Sequence, residues 1–184
     1  MRVMRTFILV KSWVTFLNHA EIHLDYKAYA LLRLIAYTGM RKSEALALTW
    51  NDLNLVDNEL TINKAIGRGK NTQLYLKSTK TGKARTIKID ETTVSILKEW
   101  KKLQKQKYFK LGINTLQKSQ LIFSNKHNAF IQPGQVQKWM YSVQNKFALK
   151  KVSPHGLIAL FYLKLVRVLK KYKIAWDIQM LKQH

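Results

Sequence analysis

Apolar residues in the first fifty positions recur at intervals of three and four, the period of one helix face. This spacing predicts a short helix over 13–20. Asp25 then caps a stronger helix over 26–37, on which Tyr29, Leu32, Ile35 and Ala36 share a side. Gly39 ends it, and a third helix is predicted over 42–48, carrying Ala45, Leu46 and Leu48. Past the turn-forming Asn51, Asp52 and Asn54 the period shortens to two. Leu60 and Ile62 alternate with polar neighbours, as do Leu74 and Leu76, and then Ile87 and Ile89. Gly67-Arg68-Gly69 and Thr81-Gly82 separate the three runs, which predicts a three-stranded antiparallel meander. Asp90 caps a helix over 91–108 with Val94, Leu97 and Leu103 on one side and a lysine run on the other. Leu121-Ile122-Phe123 reads as a short strand, and Pro133 opens a helix through Val136, Met140, Val143 and Phe147. Neither an internal repeat nor a Gly/Ser linker interrupts this order, so a single α+β domain is expected, mainly helical with a small sheet.

Composition supports a folded chain and narrows its chemistry. The 184 residues are 47% hydrophobic and include five Trp, eight Tyr and seven Phe, enough for a closed core. There is no cysteine, which excludes a disulfide framework, a thiolate nucleophile and Cys-ligated zinc, and points to a reducing compartment. The apolar stretches 7–10 and 157–163 are far shorter than the roughly 18 residues of a membrane span. A soluble, unexported protein is therefore expected.

Charge changes the picture most. The formal net charge is +23, and it is unevenly placed. Residues 1–60 hold seven basic and six acidic residues, 61–125 hold fifteen and three, and 126–184 hold eleven and one. From Trp100 to Trp176 there is no Asp or Glu, so this surface repels itself unless a polyanion lies against it. Nucleic acid is the expected polyanion, with compositional drift toward lysine as the plain alternative. A cationic membrane-surface helix fits less well, because the charges are spread over several elements.

Three short constellations carry candidate chemistry. In Thr38-Gly39-Met40-Arg41-Lys42-Ser43-Glu44 a glycine break puts Arg41 at the mouth of a helix. A guanidinium there can fork two hydrogen bonds onto one phosphate. In Ser78-Thr79-Lys80-Thr81-Gly82-Lys83-Ala84-Arg85 a hairpin tip is loaded with cations. In Val152-Ser153-Pro154-His155-Gly156 a histidine follows a proline at a helix start. Taken singly, each has an ordinary reading as an exposed arginine, a solvated lysine or a structural histidine.

Taken together and in this order, they resemble the catalytic domain of the tyrosine recombinases, the integrases of phages and transposons. The resemblance runs from about residue 16 to Gly156 and includes the helix–sheet–helix layout and the Leu121-Ile122-Phe123 segment. It implies a reaction in which a tyrosine attacks a DNA phosphodiester to give a 3'-phosphotyrosyl intermediate. A free 5'-hydroxyl then rejoins the strand without ATP, metal or cofactor. By resemblance Arg41 is the first phosphate-clamping arginine, Lys80 the lysine that protonates the leaving 5'-oxygen, and His155 the histidine of a His-x-x-Arg box. It further implies DNA contacts by Arg41, Lys77, Lys80, Lys83 and Arg85. The implied partners are double-stranded DNA and other integrase protomers, with no membrane, in the cytoplasm.

The resemblance then breaks. The third residue after His155 is Ile158, where the box requires arginine. Neither Tyr162 nor Tyr172 stands in the family's nucleophile context, a Leu-Gly-His segment followed by a helix bearing the tyrosine. Codons for 157–184 read one frame over permit a run containing Asp-Arg-Leu-Gly-His-Thr, in which Trp176-Asp177 forces the glycine. The expected organisation is thus an unmatched segment 1–11, a partial integrase-like catalytic domain 12–156, and an out-of-frame tail 157–184 following a small deletion. The expected function is that of a recombinase remnant without strand-transfer activity. The alternatives are a non-catalytic DNA-binding fragment and a product without function.

Overall fold

The computed structural model describes residues 2–79 and 82–150, with side chains from Trp13 onward. Its helices are α1 (Arg2–His23), α2 (Tyr26–Thr38), α3 (Lys42–Ala45), α4 (Glu91–Phe109) and α5 (Pro133–Lys146). Its strands are β1 (Leu53–Asn54), β2 (Glu59–Ile62), β3 (Lys64–Arg68), β4 (Leu74–Ser78) and β5 (Arg85–Lys88). The α+β class, mainly helical with a small antiparallel sheet, is as expected from the sequence.

α2 is the centre of the fold. Ala28 to Leu32, Leu34 and Ile35 are all buried, so it is covered on nearly every face, by α1, α3, α4 and α5. Asp25 caps it by accepting from the Ala28 N–H at 2.8 Å. Gly39, at φ 64°, closes it with an N–H bond to the Ile35 carbonyl, a left-handed conformation that glycine adopts without strain. Leu46, Leu48, Leu60, Ile62, Leu97, Ile122, Phe123, Met140 and Val143 complete the core from the other elements.

α1 begins well before the predicted helix 13–20. No glycine or proline occurs before Gly39, so nothing in the sequence breaks the turn upstream. α3, in contrast, ends at Ala45 and not at Leu48. The next turn tightens to i→i+3 bonds, Ala47 N–H to Glu44 O at 3.0 Å and Leu48 N–H to Ala45 O at 3.4 Å. Beyond it the backbone pairs outward: Ile122 N–H donates to Leu48 O at 2.8 Å, and Trp50 N–H to Gln120 O at 3.0 Å.

The predicted strand 121–123 is correspondingly reduced to a single bridge between Thr49 and Leu121. Its other backbone groups serve α4, where Trp100, Gln104 and Tyr108 stand one turn apart on one face. The Trp100 indole donates to Ile122 O at 2.7 Å, and the Gln104 amide donates to Leu121 O at 2.9 Å and Ile122 O at 3.1 Å. The Tyr108 hydroxyl meets Ser124 Oγ at 2.8 Å. The Gln104 carbonyl in turn accepts from the Trp50 indole at 2.8 Å. Buried polar groups in this seam are therefore paired across three segments.

The sheet also differs from the predicted meander. β2 and β3 form one extended run interrupted at Asn63. β5 pairs antiparallel with its first half, Ile62 opposite Arg85, while β4 pairs with its second half, Lys64 opposite Ser78. β1 completes a three-stranded sheet in the order β1-β2-β5, and β3-β4 is a separate hairpin. Alternation marks strands but not partners, and the tight return through Asn71 and Thr72, both at positive φ, commits β4 to β3. Gly67 permits this: a Cβ there would lie 2.6 Å from Cζ of Tyr75, whose ring crosses the strand.

At the start of α4, Asp90 accepts from the Thr93 N–H at 3.0 Å and the Thr93 hydroxyl at 2.6 Å, and pairs with Arg33 of α2 at 3.3 Å. Burial pushes its carboxyl pKa up, but the Thr93 bonds and the Arg33 guanidinium outweigh that and hold it below the ordinary value. Replacing Asp90 by Ala is expected to cost about 1–2 kcal/mol in urea denaturation at neutral pH. Because the folded pKa is depressed, this contribution is full above the unfolded carboxyl pKa of about 3.9 and is lost as pH falls through the folded value. The gap between wild type and variant therefore closes in acid.

Candidate nucleic-acid interface

The candidate interface starts where α2 stops. The Thr38 hydroxyl donates to Leu34 O at 2.6 Å, Gly39 turns the chain, and Met40 is fully buried. Arg41 follows in extended conformation, φ −71° and ψ 145°, and delivers its backbone to the four-residue α3. Glu44 of α3 lies 1% exposed. A bare carboxylate at such a position costs several kcal/mol, so its partners are required for the fold.

Two of those partners are arginines from different parts of the chain. Glu44 Oε2 accepts the Arg41 backbone N–H at 3.0 Å, and Oε1 accepts Arg41 Nη1 at 3.2 Å. Arg85 donates Nη2 to Oε2 at 2.6 Å and Nη1 to Oε1 at 3.3 Å, a bidentate pair. Burial pushes the Glu44 pKa up, but hydrogen bonds from Arg85 and Arg41, with the Arg85 charge, bring it below the ordinary value. It is therefore ionised at neutral pH.

Both arginine side chains remain about half exposed, 49% for Arg41 and 40% for Arg85. Each guanidinium has five N–H donors, and the contacts with Glu44 use only some of them. The result is two cations held within reach of one buried anion, with a net positive charge and spare donors toward solvent. An oxyanion such as a phosphate suits those donors in charge and in geometry.

Lys77 near the end of β4 and Lys83 before β5 are both exposed. The turn between them is shaped by Thr79, whose buried hydroxyl donates to Lys83 O at 3.0 Å, and by Gly82 at φ 69°. Lys80 and His155 lie outside the described residues. Of the expected site residues, the structure thus brings Arg41 and Arg85 together on Glu44 and leaves Lys77, on β4, and Lys83, between β4 and β5, exposed.

Glu44 itself was not among the expected site residues. Its signal is an acid three residues after Arg41, directly before the buried run Ala45 to Leu48, in a chain with ten acidic residues in all. A second buried carboxylate, Asp52, is satisfied differently. It accepts the Thr49 N–H and hydroxyl at 2.7 Å and pairs with Lys64 of β3 at 2.5 Å, tying the turn after α3 to the hairpin.

Replacing Glu44 by Ala is expected to destabilise the fold by about 1–3 kcal/mol. That is less than a fully buried pair would lose, because both arginines reach water. The isosteric Glu44→Gln, which keeps one acceptor, is expected to lose less. With its folded pKa depressed, Glu44 contributes fully above the unfolded value of about 4.3 and loses that contribution as pH falls through the folded value. Urea midpoints of wild type and Glu44→Ala measured from pH 7 down to pH 3 are expected to converge.

Among the described residues no group of His, Cys, Asp and Glu is placed to hold a metal ion, and no helix is long and apolar enough to cross a membrane. No curated protein matches the sequence. Solved structures share the fold. The Tn1549 transposon integrase in complex with a circular intermediate DNA superposes with a TM-score of 0.66 at 18% identity, over 80% of this chain and 48% of that one. The XerA recombinase gives 0.63 at 20% identity, over 85% and 49%. The XerH site-specific recombinase bound to its difH substrate gives 0.56 at 19%, over 82% and 40%. The chain thus spans half or less of each of these. The model of the phage integrase family matches residues 7–167. With that match covering most of its length, on the catalytic-domain fold of the tyrosine recombinases, the chain belongs to the phage integrase family.

Proposed function

We propose that this chain binds duplex DNA through its phosphates, as a partial recombinase catalytic domain that does not itself cut and rejoin strands. The observation that carries the binding is the pair of half-exposed guanidiniums of Arg41 and Arg85 fixed on buried Glu44. Along the chain, residues 61–184 hold twenty-six basic and four acidic residues. Phosphate contacts of this kind fix a protein on DNA without reading its sequence. The Tn1549 integrase and XerH, which share the fold, were solved with DNA.

In this reading Arg41 and Arg85 clamp a backbone phosphate, and Lys77, Lys80 and Lys83 contact its neighbours. Lys80 holds the position from which the family protonates a leaving 5'-oxygen, and His155 that of the box histidine. The chemistry stops at Ile158. A phosphoryl-transfer transition state spreads charge over equatorial oxygens, and removing one preorganised donor to such charge costs on the order of 10²- to 10³-fold in rate. Residues 157–184 are read as translation in a shifted frame, which also explains why neither Tyr162 nor Tyr172 stands where the nucleophile would. The chain is therefore a remnant of an enzyme of integration or excision of a mobile element, acting in the cytoplasm on double-stranded DNA, alone or beside intact integrase protomers.

Two measurements test this. Duplex affinity is expected to fall steeply with salt, with a log–log slope of about −0.9 per phosphate neutralised. Arg41→Ala and Arg85→Ala are each expected to weaken binding by about 5- to 20-fold at fixed salt. Affinity that is insensitive to salt, or to both substitutions, contradicts the proposal. On a nicked suicide duplex, denaturing electrophoresis is expected to show no covalent protein–DNA adduct. An adduct that disappears in Tyr162→Phe or Tyr172→Phe would mean that strand cleavage survives.

A further inference from the structure

A different chemistry occupies the far end of the domain. α2 and α4 run antiparallel: Arg33 of α2 pairs with Asp90 at the start of α4, whereas Lys27 at the start of α2 feels the charge of Lys107 near the end of α4. α2 has 13 residues, about 20 Å at 1.5 Å per residue, so this end lies roughly that far from the end that leads to Arg41. Here the helices part to leave a groove of about 520 Å³.

The groove pairs an apolar wall with a cationic rim. Leu103 and Leu111 line it, and Leu111 is 56% exposed, an uncommon exposure for a leucine in a concave site. Lys27, Lys107 and Lys110 stand around it. Asp25, the carboxylate among its lining residues, is already committed to capping α2. Lys27 donates to the Ser124 carbonyl at 3.2 Å. Burial pushes its pKa below the usual lysine value, against the charge of Asp25 and with a smaller contribution from Lys107.

We infer that this groove binds an acidic segment of a partner protein, with a bulky apolar side chain against Leu103 and Leu111 and carboxylates on Lys27, Lys107 and Lys110. Charge complementarity selects this occupant. In a second copy the acidic segment 52–59 is already engaged, Asp52 with Lys64, Asp57 with Asn54 and Glu59 with Lys88. Duplex DNA offers anions but no apolar protrusion. A single strand stacks successive bases on several open aromatic faces, and of the two aromatics that line the groove Trp100 is 4% exposed and only Tyr26 reaches solvent.

The test uses the full chain and a fluorescein-labelled peptide, acetyl-Asp-Glu-Phe-Asp-Glu-Leu-amide, followed by anisotropy. Saturable binding is expected, weakened at least about tenfold by Lys107→Glu and by Leu111→Asp. Lys146→Glu, the same charge change at an exposed position on α5, is expected to have a much smaller effect. All three substituted side chains reach solvent, and circular dichroism verifies the fold of each variant. The inference is overturned by no saturable binding, by equal binding of a peptide with Ser in place of Phe and Leu, or by equal losses in Lys107→Glu and Lys146→Glu. It is also overturned if a single-stranded oligonucleotide displaces the peptide and is itself weakened by Leu111→Asp, which would make the groove a nucleic-acid site.

Discussion

A carboxylate that is 1% exposed must be paired or neutralised, and Glu44 is paired three ways: with the Arg41 backbone, the Arg41 guanidinium and the Arg85 guanidinium. Meeting that requirement sets the geometry around it. α2 must end at Gly39 in the left-handed conformation, Met40 must be buried, and α3 must start at once, or Arg41 misses the carboxylate. β5 must lie in register on β2, with Arg85 opposite Ile62, or the second guanidinium misses it. The helical and sheet halves are thereby joined by one charge. The same charge holds two arginines in place with half of each side chain toward water.

A second constraint acts from behind. Trp100, Gln104 and Tyr108 of α4 engage the backbone and side-chain oxygens of 121–125, while Ile122 bonds to Leu48 and Gln120 to Trp50 just past α3. This linkage explains two departures together. α3 is short because its continuation turns to meet 120–122, and 121–123 is not a ladder strand because α4 side chains take its carbonyls. Buried polar groups left unpaired cost more than the regular structure given up, and the seam resolves in favour of pairing.

What was legible in the sequence was local. Asp25 and Asp90 cap α2 and α4, Gly39 stops α2 and Pro133 opens α5, each through contacts within a few residues. The alternation of Leu60 and Ile62 marked a strand correctly. What was not legible depends on residues far apart. Strand partners were set by the β3–β4 return, and the length of α3 by Gln120 and Ile122. The importance of Glu44 comes from Arg85, 41 residues away. The order of Arg41, the hairpin cations and His155 along the chain was enough to indicate the family, because that order is itself long-range information. The contribution of Lys80, His155 and the segment from Ile158 onward falls outside the described residues.

Whether Glu44 organises Arg41 and Arg85 for phosphate binding is decided by the duplex affinity of Glu44→Gln, in protein verified as folded. Simple electrostatics predicts tighter binding, since the substitution removes a negative charge from a basic surface. Organisation by Glu44 predicts the opposite: the guanidiniums lose their anchor and the affinity falls several-fold at fixed salt, although the protein is more positive. Affinity equal to or tighter than wild type would contradict the account.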